Sequence, residues 1–133
     1  MNIILSKAQE TNISQKKSLT RHHPSKYGVI VFDYQLQIDH INQQAQTMTG
    51  WELHEAKGKI FTEILKVVEQ KTLLNLENTI ISTIQERATL YFHNGILLMA
   101  KNGNMISIAS STNSFKNNQN KLTGGVIVFW EAT

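Results

Sequence analysis

Residues Asn42–Trp51 read "NQQAQTMTGW", an amide-rich opening, a small apolar middle and a Gly-Trp close. Asn42 suits the N-cap of a helix, because its side-chain oxygen accepts the free N–H groups of a first turn. Gly50 suits the position just past the last turn, where the backbone becomes left-handed and a side chain is strained. The stretch predicts a helix of about two turns, with Ala45, Met48 and Trp51 facing inward and the small alanine allowing a close approach. So short a helix is marginal in isolation and needs a surface beside it.

Upstream, "YGVIVFD" (Tyr27–Asp33) is apolar on both faces of a β-rich run, Asp33 to Gln37 reads as a turn, and "IDHI" reads as a second short strand. Together they predict an antiparallel hairpin. Downstream, "ELHEAKGKIFTEIL" predicts short helical pieces broken at Gly58. "TLLNLENTIISTIQ" then carries the clearest helical period, with Leu73, Leu76, Ile80 and Ile84 on one stripe that Leu74 and Ile81 widen. A helix over Thr72 to Gln85 is expected there.

The C-terminal third supplies the surface these helices need. "ATLYFHNGILLMAKNG", "MISIASST" and "LTGGVIVFWEAT" read as three further strands; Asn102-Gly103 is a hairpin turn, and "SFKNNQNK" a longer polar loop. The expected fold class is α+β: five antiparallel strands, with short helices and one longer helix inserted between the second and third and packed on one face.

With 133 residues the chain suits one domain with one core. Its positive balance is local. Residues 1–26 carry Lys7, Lys16, Lys17, Arg21 and Lys26 against Glu10, which leaves the rest of the chain at −1 out of a total of +3. Residues 1–26 therefore read as a basic, polar leader, in which a stretch around Ser6 to Lys17 suits a loose helix; the leader's apolar positions, Ile3, Ile4, Ala8 and Ile13, make only a thin stripe. The leader has no interleaved aromatics for stacking bases, so nucleic acid is not an expected partner. Its apolar run is too short for a signal peptide or a membrane span, and the chain reads as soluble and cytoplasmic. Cysteine is absent, which excludes disulfides, thiolate metal sites and thiol nucleophiles.

The order of these pieces resembles a PAS domain, the small sensory module of signalling proteins, over residues 27–133. "YGVIVFD" is similar to the family's first strand, "IDHIN" to its second with the family asparagine at Asn42, and "TGWELHEAKGK" to its Thr-Gly-Trp, Glu-Ala and Gly-Lys pattern. "LLMAKNGNMISI" resembles the strand, turn and strand of the sensory sheet, and "GGVIVFWEAT" the last strand with its terminal Asp-x-Thr. The sequence departs at Asn102 and Glu131, where the family has Asp, at Asn113, near a common Pro, and at Asn118 and Gln119, in a turn that usually holds Gly.

The resemblance implies a non-catalytic sensor that dimerises and acts on an output domain. Since the sequence stops at Thr133, where the family's signalling helix begins, an excised sensor or a stand-alone module is expected, the excised sensor being favoured, with a histidine kinase or a diguanylate cyclase or phosphodiesterase beyond it, in bacterial two-component or cyclic-di-GMP signalling. The cysteine adducts of the photoactive branches are excluded by composition. The proximal-histidine mode of haem binding is unsupported, because the expected long helix contains no histidine.

Other chemistry is sparse. His22, His23, His40, His54 and His93 show no ligand spacing beyond the adjacent pair, so no metal is expected. Glu52 and Glu55 near Lys57 and Lys59 read as a solvated face, and Gly124-Gly125 precedes a strand and not a helix, the wrong context for phosphate. A carboxylate enzyme would need an acid on the inner sheet face, yet Asp33 and Asp39 lie at strand ends and no further acid follows on the later strands until Glu131.

What remains is an apolar pocket between helices and sheet. Its expected lining is Met48, Trp51, Phe61, Ile64 and Leu65 from the first helices, Leu76 and Ile80 from the longer one, and Met99 and Ile108 from the strands. Asn42 and Ser110 are the polar handles, for a ligand or cofactor of unknown identity. The alternative is that these side chains fill a closed core, and that the domain is a ligand-free interaction and dimerisation module.

Overall fold

The computed structural model describes residues 26–86 and 88–132. Residues 1–25 of the expected leader, with Arg87 and Thr133, lie outside the described residues. The elements run β1 (Gly28–Asp33), β2 (Ile38–Ile41), α1 (Gln43–Thr49), α2 (Leu53–Ala56), α3 (Phe61–Ile64), β3 (Lys66–Glu69), α4 (Glu77–Glu86), β4 (Thr89–Met99), β5 (Met105–Lys116) and β6 (Leu122–Glu131). Among the described residues the strands form one antiparallel sheet in the order β2-β1-β6-β5-β4-β3.

Register carries one apolar face across this sheet. Gly28, Ile30 and Phe32 on β1 stand opposite Phe129, Ile127 and Gly125 on β6. Those three stand opposite Ser110, Thr112 and Ser114 on β5, and Phe92 and Leu90 on β4 continue the first two rows. Side chains from all four helices, including Ala45, Ala56, Phe61, Ile64, Ile80 and Ile84, close over this face in one core. Each fully buried Phe or Ile contributes about 1.5 to 3 kcal/mol by leaving water.

Three hairpins close in one way. In the β1–β2 loop the Asp33 N–H donates to the Gln37 carbonyl, the Leu36 N–H donates to the Asp33 carbonyl, and Leu36 is left-handed at φ 68°. The β5–β6 loop repeats this with Asn117, Lys121 and Asn120 at φ 64°, and the β4–β5 loop with Ala100, Asn104 and Gly103 at φ 92°. Asp33 and Asn117 each accept two further backbone N–H groups on Oδ1. This is the three-residue hairpin, a tight turn ending in one left-handed residue. A β-branched side chain is costly there, so Asn120→Val is expected to lose about 1 to 2 kcal/mol while Asn120→Gly loses nothing. Urea midpoints of the two variants check this, and equal midpoints would contradict it.

The structure corrects three expectations. The sheet has a sixth strand: "KVVE", between the short helical pieces and the long helix, is β3 and pairs with β4 from Lys66 opposite Met99 to Glu69 opposite Ile96. Its two valines suit a pleated surface better than a helix turn. The long helix begins at Glu77, not Thr72. Thr72 donates from both its N–H and its hydroxyl to the Glu69 carboxylate, which lowers that carboxyl's pKa. Leu73 is left-handed, Asn75 bridges to Val68, and the Asn75 side chain accepts the Glu77 N–H. Thr72 and Asn75 thus offer the backbone a turn in place of a helix, and Leu73 and Leu74 end 55% and 65% exposed. Finally, β5 extends to Lys116, so Ser114 is a buried strand residue and not part of the polar loop.

Candidate functional site

The opening stretch is fixed at both ends by groups far along the chain. Asn42 caps α1 through Oδ1, which accepts the Ala45 N–H at 2.9 Å and also the Val29 N–H at 2.9 Å, while Nδ2 donates to the Tyr27 carbonyl at 3.0 Å. Gly50 is left-handed, and a Cβ there would lie 3.2 Å from the Lys101 Cβ. The helix ends abruptly because the β4–β5 hairpin approaches it: the Lys101 N–H donates to the Thr49 carbonyl at 2.8 Å.

Lys101 then spans Trp51 and Glu55. Its Nζ lies 4.4 Å from the Trp51 ring centroid and 2.9 Å from Glu55 Oε2, so one ammonium joins a cation–π contact to an ion pair. The Lys101 hydrogen bond, with a second from the Glu52 N–H, holds the Glu55 carboxyl below its ordinary pKa. A carboxyl lowered in the folded state stabilises the fold above its unfolded pKa and loses that contribution as pH falls through the folded value. The difference in thermal midpoint between wild type and Lys101→Met is therefore expected to hold from pH 7 to about 5 and to shrink below about 4. A difference independent of pH would show that Lys101 acts through Trp51 alone.

Glu52 and Glu55 form a capping box on α2, with the Glu52 N–H donating to Glu55 Oε1 at 3.1 Å. They cap the helix, and Glu55 also pairs with Lys101, roles that the solvated reading had not named. His40, His54 and His93 are exposed, and among the described residues no three His, Asp or Glu side chains gather to hold a metal.

The expected lining is largely brought together. Met48, Phe61, Ile64, Leu65, Ile80 and Ile108 are buried in one cluster, with Trp51 and Leu76 partly buried against it. Ser110 is buried beside them on the inner face. Two residues stand elsewhere. Met99 alternates with the fully buried Leu98 and pairs with exposed Met105, so it lies on the outer face and Leu98 takes its place. Asn42 spends its amide on the β1–α1 junction, leaving the inner layer to hydroxyls alone.

Sequence reasoning missed the aromatic floor and Thr112. Phe32 stacks on Phe61 with centroids 4.8 Å apart, over Gly125. The signal was the alternation in "ISIASSTNS", which puts Ile106, Ile108, Ser110, Thr112 and Ser114 on one face.

Helices crossing one face of a curled antiparallel sheet, with short helices and β3 between β2 and β4, is an arrangement shared with many solved structures. A PAS domain from Colwellia psychrerythraea superposes with a TM-score of 0.62 at 17% identity, covering 82% of this chain and 88% of that one. This chain has the PAS fold. The PAS domain of nitrogen regulation protein NR(II) from Vibrio parahaemolyticus superposes with a TM-score of 0.56 at 11% identity, covering 81% and 91%. The light-state dimer of the fungal blue-light photoreceptor Vivid gives 0.63 at 16%, covering 93% and 90%. No protein-family model and no curated protein matches the sequence. Within the PAS fold of this chain, the inner sheet face under α4 is where buried polar side chains concentrate.

Proposed function

We propose that this chain is a non-catalytic PAS sensory domain of a cytoplasmic signalling protein. It holds a small ligand between the helices and the inner sheet face and transmits the change through the outer face. The observation that carries the reading is the pair of buried hydroxyls, Ser110 and Thr112, on an inner sheet face whose third buried hydroxyl, Ser114, is already bonded to the Ile84 carbonyl.

The outer face supports dimerisation. Val29, Val31, Val126 and Val128 are only half-buried there, Tyr27 meets Trp130 edge-on at 5.6 Å, and Tyr91, Met105 and Phe115 are exposed. In this proposal the leader, which precedes Tyr27 in the sequence, contributes its apolar stripe to the homodimer interface. One of the similar structures is a dimer of a photoreceptor and another belongs to a nitrogen regulation protein. An output domain of the histidine kinase or diguanylate cyclase or phosphodiesterase class would follow Thr133. No membrane contact is part of this reading, and among the described residues no helix is long and apolar enough to cross one.

Native and denaturing mass spectra with an absorption spectrum test the pocket, and sedimentation at several concentrations tests the dimer. Extra non-covalent mass supports a ligand sensor. A ligand-free dimer favours the second reading, an interaction module, which draws support from how fully Phe61, Ile64 and Ile108 are already buried. A monomer at high concentration with the leader present counts against the dimer in both.

A further inference from the structure

Five polar side chains are buried in the described residues, and all are hydroxyls: Thr49, Thr62, Ser110, Thr112 and Ser114. Three have partners. Thr49 donates to the Ala45 carbonyl at 2.8 Å, Thr62 to Glu77 Oε2 at 2.8 Å, and Ser114 to the Ile84 carbonyl at 3.1 Å. Ser110 and Thr112, 6% and 4% exposed, meet no side-chain hydrogen-bond partner among the described residues. A buried hydroxyl without a partner costs about 1 to 3 kcal/mol, so two on one strand face call for a group that answers both.

Their surroundings define that group. Ser110 stands between Phe92 and Phe129 on the neighbouring strands, and Thr112 between Leu90 and Ile127. Two residues apart on a strand, they lie about 7 Å from one another, a span that a single small ring with a substituent covers. No charged side chain is buried among the described residues, and an ion placed there without a counter-charge would be strongly disfavoured.

We infer that the inner layer beneath α4 takes a small, uncharged aromatic molecule bearing a carbonyl or hydroxyl oxygen, which the Ser110 and Thr112 hydroxyls hold between the phenylalanines. This rests on the proposed ligand-sensing function and names the ligand class. Ser114 ties the same strand face to α4 through the Ile84 carbonyl, so entry of the ring displaces the helix whose last turn that bond holds.

Three probes of matched shape test it, with binding followed by ligand-observed NMR on the full chain: acetophenone, ethylbenzene and benzoate. Acetophenone is expected to bind at least tenfold more tightly than ethylbenzene, and benzoate not to bind at millimolar concentration. In a Ser110→Ala, Thr112→Val double variant the preference for acetophenone over ethylbenzene is expected to vanish. That variant should fold, because it replaces unpartnered hydroxyls by apolar groups of similar shape; an unchanged circular dichroism spectrum and a thermal midpoint no lower than that of the wild type confirm this. Equal binding of acetophenone and ethylbenzene, binding of benzoate, or a preference that survives in the double variant overturns the ligand class while leaving the pocket. Failure of all three probes, with a ligand-free native mass spectrum, overturns the pocket reading and this inference with it.

Discussion

Asn42→Ala is expected to lower stability by about 2 to 4 kcal/mol, on the order of a third of what a domain of this size has in hand. One amide holds three groups. Oδ1 accepts N–H groups from Ala45, in the first turn of α1, and from Val29, in β1, and Nδ2 reaches the Tyr27 carbonyl. The Asn42 N–H itself donates to the Val29 carbonyl at 3.1 Å. Main chain and side chain together therefore complete the β1–β2 ladder one residue beyond its last pair, Ile30 with Ile41, as the chain turns into the helix. Alanine removes the cap, which costs about 1 kcal/mol, and leaves the Val29 N–H without its acceptor. Asn42→Asp retains the acceptor oxygen but loses the donor to Tyr27, and should fall between wild type and alanine. Thermal midpoints rank the three proteins; an alanine variant within about 0.5 kcal/mol of wild type would mean that water replaces the side chain at both N–H groups.

The junctions that depend on neighbours in sequence were legible before the structure. Asn42, Gly50 and Gly103 each announce a local backbone need, and the loops they form are those expected. Hidden features depended on distant partners. β3 is four residues long and gains its identity from β4, about thirty residues on. Leu73 and Leu74 fit a helical stripe by spacing alone, but the Glu69 carboxylate and the Asn75 bridge hold that segment in a turn. Lys101 is 46 positions from Glu55, so nothing near either residue marks the pair. Of the site, the apolar lining was readable because buried residues must be apolar somewhere; Thr112 was not singled out because a hydroxyl on a strand is ordinary until its partners are counted. Met99 was misplaced by one residue, which in a strand is the other face.

Gly125→Ala is expected to cost about 3 kcal/mol or more, at the upper end of what overpacking a core costs, although it adds a single methyl group. A Cβ at Gly125 would lie 2.3 Å from Phe32 Cζ and 2.7 Å from the Asn113 carbonyl oxygen. The ring has nowhere to go, because Phe61 stacks on its far side with centroids 4.8 Å apart. The carbonyl belongs to β5 where it pairs with β6, so relief there would pull the two strands apart. Gly28 offers the internal comparison: the three atoms nearest its Cβ would all belong to the Phe129 ring, at 2.6 to 2.9 Å, whereas a backbone oxygen is among the nearest at Gly125. Gly28→Ala should therefore cost less. If the Phe32 ring is the main obstacle, the penalty of Gly125→Ala should shrink by about 1 to 3 kcal/mol in a Phe32→Leu background, as coupled neighbours do in a double-mutant cycle. An undiminished penalty would place the obstacle at the Asn113 carbonyl instead. In either case the Gly124-Gly125 pair, which the sequence already places in the wrong context for phosphate, has its purpose in packing: at Gly125 it leaves a seat for the Phe32 ring on the floor of the layer that carries Ser110 and Thr112.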